Sequence, residues 1–344
     1  MKTGRELPEV LVELQRQQAE KRDYISPSFS LSLRPDGRTL EMGEKEFGTT
    51  DLFHRQVAAS LSIPAKYYDL MQTEKPALLA ENVNAWFSDR DQKYMVRSLS
   101  GVARALLSDR YRRIDNLEVA SAVLPLFAGV DGIEVMSCEV TEHRLYLKVV
   151  NHRLEMACVG DRVQAGVMIS NSEVGLGAVS VQPLIYTLAC TNGMVVNSLG
   201  ERKTHVGRAA KGLEGYEVIS DEAAEAEDKA FLLKLRDITK AAIDEARFGM
   251  VVNTLAQSAD AKITGRVQNV IEVTGKEYGL NEMEQDGVLK YLIQGGDLSL
   301  YGLSNAVTRY SQDVASYDRA TALEGMGWDI ATMGRNQWAR INEE

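Results

Sequence analysis

VQAGVMISNSEVGLGAVSVQPLIYTLACTNGMVVN, residues 163–197, is the stretch on which the fold turns. Val163, Ala165, Val167 and Ile169 alternate with Gln164, Gly166 and Met168, the period of a half-buried strand. The strand runs into Asn171-Ser172-Glu173, with Gly175 and Gly177 close behind. A second apolar run, Leu184 to Ala189, leads to Thr191-Asn192-Gly193. Small polar residues and glycines at the ends of apolar runs let a backbone turn sharply or approach a ligand. One reading is a strand–loop–helix that presents Asn171, Ser172 and Asn192 to a partner. The other is two tight turns in an ordinary sheet.

Outward from this stretch the middle of the chain reads as sheet. Arg144, Tyr146 and Lys148 share one face of a strand, and Leu145, Leu147 and Val149 share the other. With Ile133–Val140 this strand makes a hairpin. Met95–Leu107 is strand-like and Leu117–Phe127 helical. Towards the N-terminus, residues 7–22 form a lightly amphipathic helix. Residues 28–47 alternate around Pro35-Asp36-Gly37, a hairpin signal. Residues 49–71 are helical behind a Thr49 or Thr50 cap and broken at Pro64. Beyond Gly215 helices dominate, beginning with Asp221–Met250, which carries acids in its first turn as the helix dipole prefers.

The chain has 344 residues, 44% apolar and 26% charged, ordinary for a globular protein of two or three domains. No run approaches the roughly 18 apolar residues of a membrane span, and the first twenty residues are too polar for a signal peptide. The expectation is a cytoplasmic protein without membrane contact. Three cysteines and no CxxC pair argue against a disulfide framework.

The net charge of −10 is unevenly placed. Residues 97–113 hold five arginines against Asp109, a local +4. Residues 201–211 reach +3, and residues 217–229 fall to −5. Phosphate-loop, dinucleotide, HExxH and GxSxG motifs are missing. Cys138, His143, His152 and Cys158 lie close in sequence but match no common zinc spacing. Neither a metal nor a cofactor is expected, and no catalytic residues stand out. What remains is a basic, aromatic-interleaved sheet. Cations that track phosphates, with rings that stack on bases, are how single strands are held. The candidate nucleic-acid contacts are Arg97, Arg104, Arg110, Arg112, Tyr146, Lys148, Arg162, Asn171, Ser172, Asn192, Arg202 and Lys203. The competing account has the arginines pairing inside the fold with the acidic helix at 221–228.

Five stretches carry a resemblance: IPAKYYDLM (63–71), LLSDRYRRIDN (106–116), ISNSEVGLG (169–177), the Cys190-Thr191-Asn192-Gly193 turn and YGLSNAVTRYSQDV (301–314). Together they resemble the phage- and plasmid-associated family called domain of unknown function 932. A second resemblance lies in the order of elements. Residues 112–116, the helix from Leu117, the glycine turn at 129–132, the hairpin 133–150, the strand 162–169 and the turn 171–175 are followed by a helix from Val181. That order is similar to the Rad-fifty-two-type single-strand annealing superfamily.

The resulting expectation is an α+β fold: a central, mostly antiparallel sheet with crossing helices and a helical C-terminal region. Its domains would be 1–94, 95–215 and 216–344. The resemblances imply a single-stranded DNA-binding protein of a phage or plasmid that promotes strand annealing in recombination, without nucleotide hydrolysis. It would work as a homo-oligomeric ring or filament, with the residue 28–47 hairpin and the N-terminal helix as subunit contacts. The alternatives are a regulatory or host-interaction protein that binds another protein, and an enzyme with a scattered active site.

Overall fold

A computed structural model describes residues 1–111, 113–128, 130–177, 179–197, 201–202, 221–242 and 245–343. The fold is α+β, built on two mostly antiparallel sheets with helices gathered towards the C-terminus.

The first sheet runs in the order β1 (Lys21–Pro27), β5 (Lys93–Leu99), β6 (Val102–Ser108), β4 (Lys45–Thr49), β3 (Thr39–Met42), β2 (Leu31–Leu33). Only β4 and β6 pair in parallel. The hairpin β2–β3 turns on Pro35-Asp36-Gly37, where Asp36 accepts from the Arg38 and Thr39 amides. Three helices, α2 (Asp51–Leu61), α3 (Ala65–Glu74) and α4 (Pro76–Ser88), pack on this sheet. Thr50 caps α2 by accepting from the Phe53 amide, and Ser62 ends it with φ 59°. Phe53, Val57, Tyr68, Leu79, Val83 and Phe87 close on Leu31, Leu40, Phe47 and Val96.

The second sheet is antiparallel throughout, in the order β11 (Asn192–Val195), β10 (Ser180–Thr187), β9 (Asp161–Asn171), β8 (Leu145–Cys158), β7 (Ile133–Val140). The short β12 (Glu201–Arg202) also pairs with β10. On one face Leu145, Leu147, Val149, Val167 and Ile169 pack beneath α1 (Leu7–Glu20), α5 (Asn116–Val123) and α6 (Asp221–Ala242). Near the start of β9, Val163 and Ala165 meet α7 (Glu245–Ser258). Five further helices complete the chain: α8 (Val267–Tyr278), α9 (Glu282–Gly295), α10 (Leu300–Tyr310), α11 (Tyr317–Ala331) and α12 (Arg335–Glu343). They share a core of their own around Val288, Leu303, Val307, Leu323 and Ile330.

The expected α+β class with antiparallel strands and a helical C-terminal region is what the structure has, its strands forming two sheets. Three other expectations are corrected. The expected boundary between residues 94 and 95 falls inside β5, whose partners β1 and β6 lie on either side of it in sequence. The helix expected from Val181 is the strand β10, in register with β9 from Ser180↔Ser170 to Thr187↔Val163. Pro183 is a poor helix-interior residue, costing about 3 kcal/mol there. The N-terminal helix and the residue 28–47 hairpin, expected as subunit contacts for want of apolar partners, have them within the chain: α1 on β7 and α5, the hairpin on α4.

Candidate nucleic-acid interface

The stretches 106–116 and 169–177, far apart in sequence, pack directly on one another. Asn171 is buried and donates from Nδ2 to the Ile114 carbonyl (2.9 Å) and Asn116 Oδ1 (2.8 Å). Ser172 Oγ accepts from the Leu176 amide at 3.1 Å, which closes the turn, and its carbonyl accepts from the Tyr111 hydroxyl at 3.1 Å. Burial pushes the Tyr111 hydroxyl up to about 12, so it stays a donor. Gly175 holds φ +79° with Leu107 close by, a left-handed position that favours glycine.

Glu173 is the centre of this junction. Its Oε1 accepts from the Asn116 amide at the start of α5 (2.7 Å), and its Oε2 from Arg104 Nη2 (3.0 Å). Its carbonyl accepts from Arg97 Nη1 at 2.9 Å. Arg97, 0% exposed, also forks onto Asp23 (2.8 and 3.1 Å) and reaches Asp115 at 2.9 Å. Lys21 bridges Asp115 (2.5 Å) and Glu173 (3.6 Å), and Arg113 meets Asp23 at 3.5 Å. Four cations thus face three carboxylates in a network that ties the first sheet to the second. Burial opposes the Arg97 charge, but Asp23 and Asp115 outweigh it and hold its pKa above the ordinary value. Burial likewise works against the Asp115 carboxylate, and Lys21 and Arg97 outweigh it, keeping its pKa low.

The face of β8 that carries Tyr146 and Lys148 is covered by α11. Tyr146 lies against Tyr317, with ring centroids 5.4 Å apart. Lys148, 0% exposed, donates to Glu324 Oε2 at 2.6 Å and Thr321 Oγ1 at 3.0 Å, with its Nζ 4.5 Å from the Tyr317 ring centroid. Burial lowers the Lys148 pKa against the pull of Glu324. Asn192 donates to the Asn305 carbonyl and accepts from Gln312, so the Cys190–Gly193 turn and the 301–314 stretch also lock together.

The expectation that Arg97, Arg104, Tyr146, Lys148, Asn171, Ser172 and Asn192 face a bound strand is therefore corrected: all seven are buried and hold the fold together. The partners of Arg97 and Arg104 are Asp23, Asp115 and Glu173, and the acidic side chains at 221–228 lie outside the described residues. Arg162 is exposed beside Glu155, with which it pairs. Arg110 is exposed and has no carboxylate partner among the described residues. Arg202 lies in β12, and Arg112 and Lys203 lie outside the described residues. Sequence reasoning missed Lys21, Asp23, Asp115 and Glu173 as partners; the one available signal was a carboxylate inside the glycine-rich turn. Cys138 and Cys158 sit in separate apolar clusters, and burial pushes the Cys138 thiol up to about 11. Among the described residues no group of three or more His, Cys, Asp or Glu is placed to hold a metal ion.

What is left at the surface is a rim around the Ser172–Gly177 loop. Arg144 donates to the Leu176 carbonyl without a carboxylate partner among the described residues, and Arg110 and Arg113 are exposed on the neighbouring segment. Beside this rim a cleft of about 410 Å³ opens between α1, the strand β6 and the β7–β8 turn. No family model, no curated protein and no solved structure matches this chain.

Proposed function

We propose that the protein binds single-stranded nucleic acid along this rim and promotes strand annealing without hydrolysing nucleotides. One observation carries the reading: a local excess of positive charge in a chain of net charge −10. Arg110 and Arg144, without carboxylate partners among the described residues, add positive charge to a network whose cations already outnumber its carboxylates. Such a rim attracts a phosphate backbone through counterion release. The resemblance of 106–116 and 169–177 to a phage- and plasmid-associated family supports the same reading, and self-association into a ring or filament belongs to it.

Fluorescence anisotropy with a labelled single-stranded oligonucleotide across a salt series tests it. Arg110→Ala and Arg144→Ala should each flatten the slope of log affinity against log salt by about 0.7 and leave the melting temperature unchanged. Absence of binding at low salt, or variants with the parent slope, would sink the proposal.

A second reading, docking of another protein, is favoured by Tyr67, Leu70, Leu78 and Trp86, exposed on α3 and α4. Leu70→Lys with Trp86→Lys would abolish that association and leave oligonucleotide binding intact.

A further inference from the structure

We propose that the outer face of α3 and α4 is the contact between two copies of this chain, packed antiparallel about a two-fold axis. Tyr67 and Leu70 on α3, and Leu78 and Trp86 on α4, are exposed. A single exposed apolar side chain is ordinary, but four large ones on two adjoining helices mark an interaction surface. Lys75 alone separates the two helices, which pack on one another.

The order of residues along this face selects its occupant. Residues four apart share one side of a helix, so Lys66, Leu70 and Glu74 form a row on α3, and Leu78, Asn82 and Trp86 a row on α4. Lys66 and Glu74 are exposed, and neither has an ionic partner among the described residues. Both stand where the helix dipole disfavours them, the cation in the first turn of α3 and the anion in its last. A second copy supplies what each lacks. Turned antiparallel about Leu70, the α3 row sets Leu70 on its own copy, Lys66 against the second copy's Glu74, and Glu74 against the second copy's Lys66. Tyr67 comes opposite the second copy's Thr73. Turned about Asn82, the α4 row sets Leu78 and Trp86 each on the other's copy, and Asn82 on itself, where its amide both donates and accepts. Leu70 and Asn82 lie five and seven residues from Lys75, so one axis can serve both rows. This reciprocity, residue i meeting j and j meeting i, defines an isologous interface.

A parallel arrangement would set Lys66 on Lys66 and Glu74 on Glu74. Asp69, Lys75 and Glu81 are exposed off the two rows. With them the face carries two lysines against three carboxylates, an excess of negative charge that disfavours nucleic acid as its occupant. An isologous contact closes at two copies, so a ring or filament needs a further surface. The contact does not depend on strand binding, and docking of another protein would compete for the same face.

Sedimentation velocity on the full chain without nucleic acid, from micromolar to sub-millimolar concentration, tests this. The expected result is a monomer–dimer equilibrium. Leu70→Lys, which sets two cations on the axis, should leave monomer alone. Lys66→Glu turns two attractions into two repulsions and should weaken the dimer roughly tenfold at low ionic strength. Adding Glu74→Lys to Lys66→Glu exchanges the charges and should restore the dimer, which a merely adhesive apolar face would not do. All three positions are exposed, so no variant should melt below the parent. A dimer indifferent to Leu70→Lys, or a double variant no better than Lys66→Glu, would overturn the proposal. A parent chain that stays monomeric throughout would overturn it too and leave the face to another protein.

Discussion

At the scale of single residues, what separates a structural arginine from a binding one is its partner. Removing Arg97 takes the donor from the Glu173 carbonyl and the most buried cation from Asp23 and Asp115, leaving them Arg113 and Lys21. Breaking a buried charge network from one side costs about 3–5 kcal/mol. Arg97→Ala should therefore lower urea-unfolding stability by that order, whereas Arg110→Ala should stay within about 0.5 kcal/mol, as surface changes do. His54 gives a second test. Its ring bonds the Tyr68 hydroxyl and Thr49 Oγ1, both at 2.8 Å, and burial drives its pKa down to about 4. Its folded pKa lies below the unfolded value near 6.5, so between those values the unfolded chain binds a proton that the fold refuses. Stability from this group is whole above about pH 6.5 and falls as pH drops towards 4, by on the order of 3 kcal/mol. Denaturation of the parent and of His54→Gln at pH 7 and 4.5 should show the variant losing less. The alternation that puts Tyr146 and Lys148 on one face of β8 was legible in the sequence. That α11 covers this face was not, because nothing local to residues 144–148 registers a helix that starts at Tyr317.

At the scale of elements, local chemistry was readable where it is self-contained. The Thr50 cap, the Pro35-Asp36-Gly37 turn and the inner position of β9 each follow from a few neighbouring residues. The strand β10 was misread as a helix because a short apolar run fits either period, and pairing with β9 settles it. The loop between these strands owes its shape to Gly175. A residue with a Cβ at φ +79° is strained, and the added atom would sit 2.5 Å from Leu107. Gly175→Ala should destabilise by about 1–2 kcal/mol, read from the midpoint of chemical unfolding.

At the scale of the molecule, an ionic junction ties the two sheets together beside a small apolar contact of Leu52 and Ala105 with Val174. Asp23 and Arg97 come from the first, Glu173 from the β9–β10 loop of the second, and Asp115 precedes the helix that covers it. Glu173→Gln keeps an acceptor for the Asn116 amide but leaves Arg104 without its countercharge. It should cost about 3 kcal/mol and loosen the coupling, so that the van't Hoff enthalpy in scanning calorimetry drops below the calorimetric one. An unchanged single transition would show that apolar contacts alone couple the units. The basic run at 97–113 was legible as a cluster with a purpose. Its purpose was not, since two of its three countercharges lie at residues 23 and 173, both outside any window around it.

The helix α1 and the strand β1 that follows it form one continuous segment serving both sheets. Leu14 lies in the core beneath β8, and β1 pairs along the edge of β5, Lys21 opposite Leu99. A ribosome makes this segment well before β5, β7 or β8 exists. In the nascent chain β1 therefore waits for β5, and α1 for β7 and β8. Closing such long loops is slow, and an idle amphipathic helix beside an open strand edge invites wrong partners. The order of synthesis thus leaves this segment without its partners for longer than a strand such as β3, which pairs with its immediate successor β4.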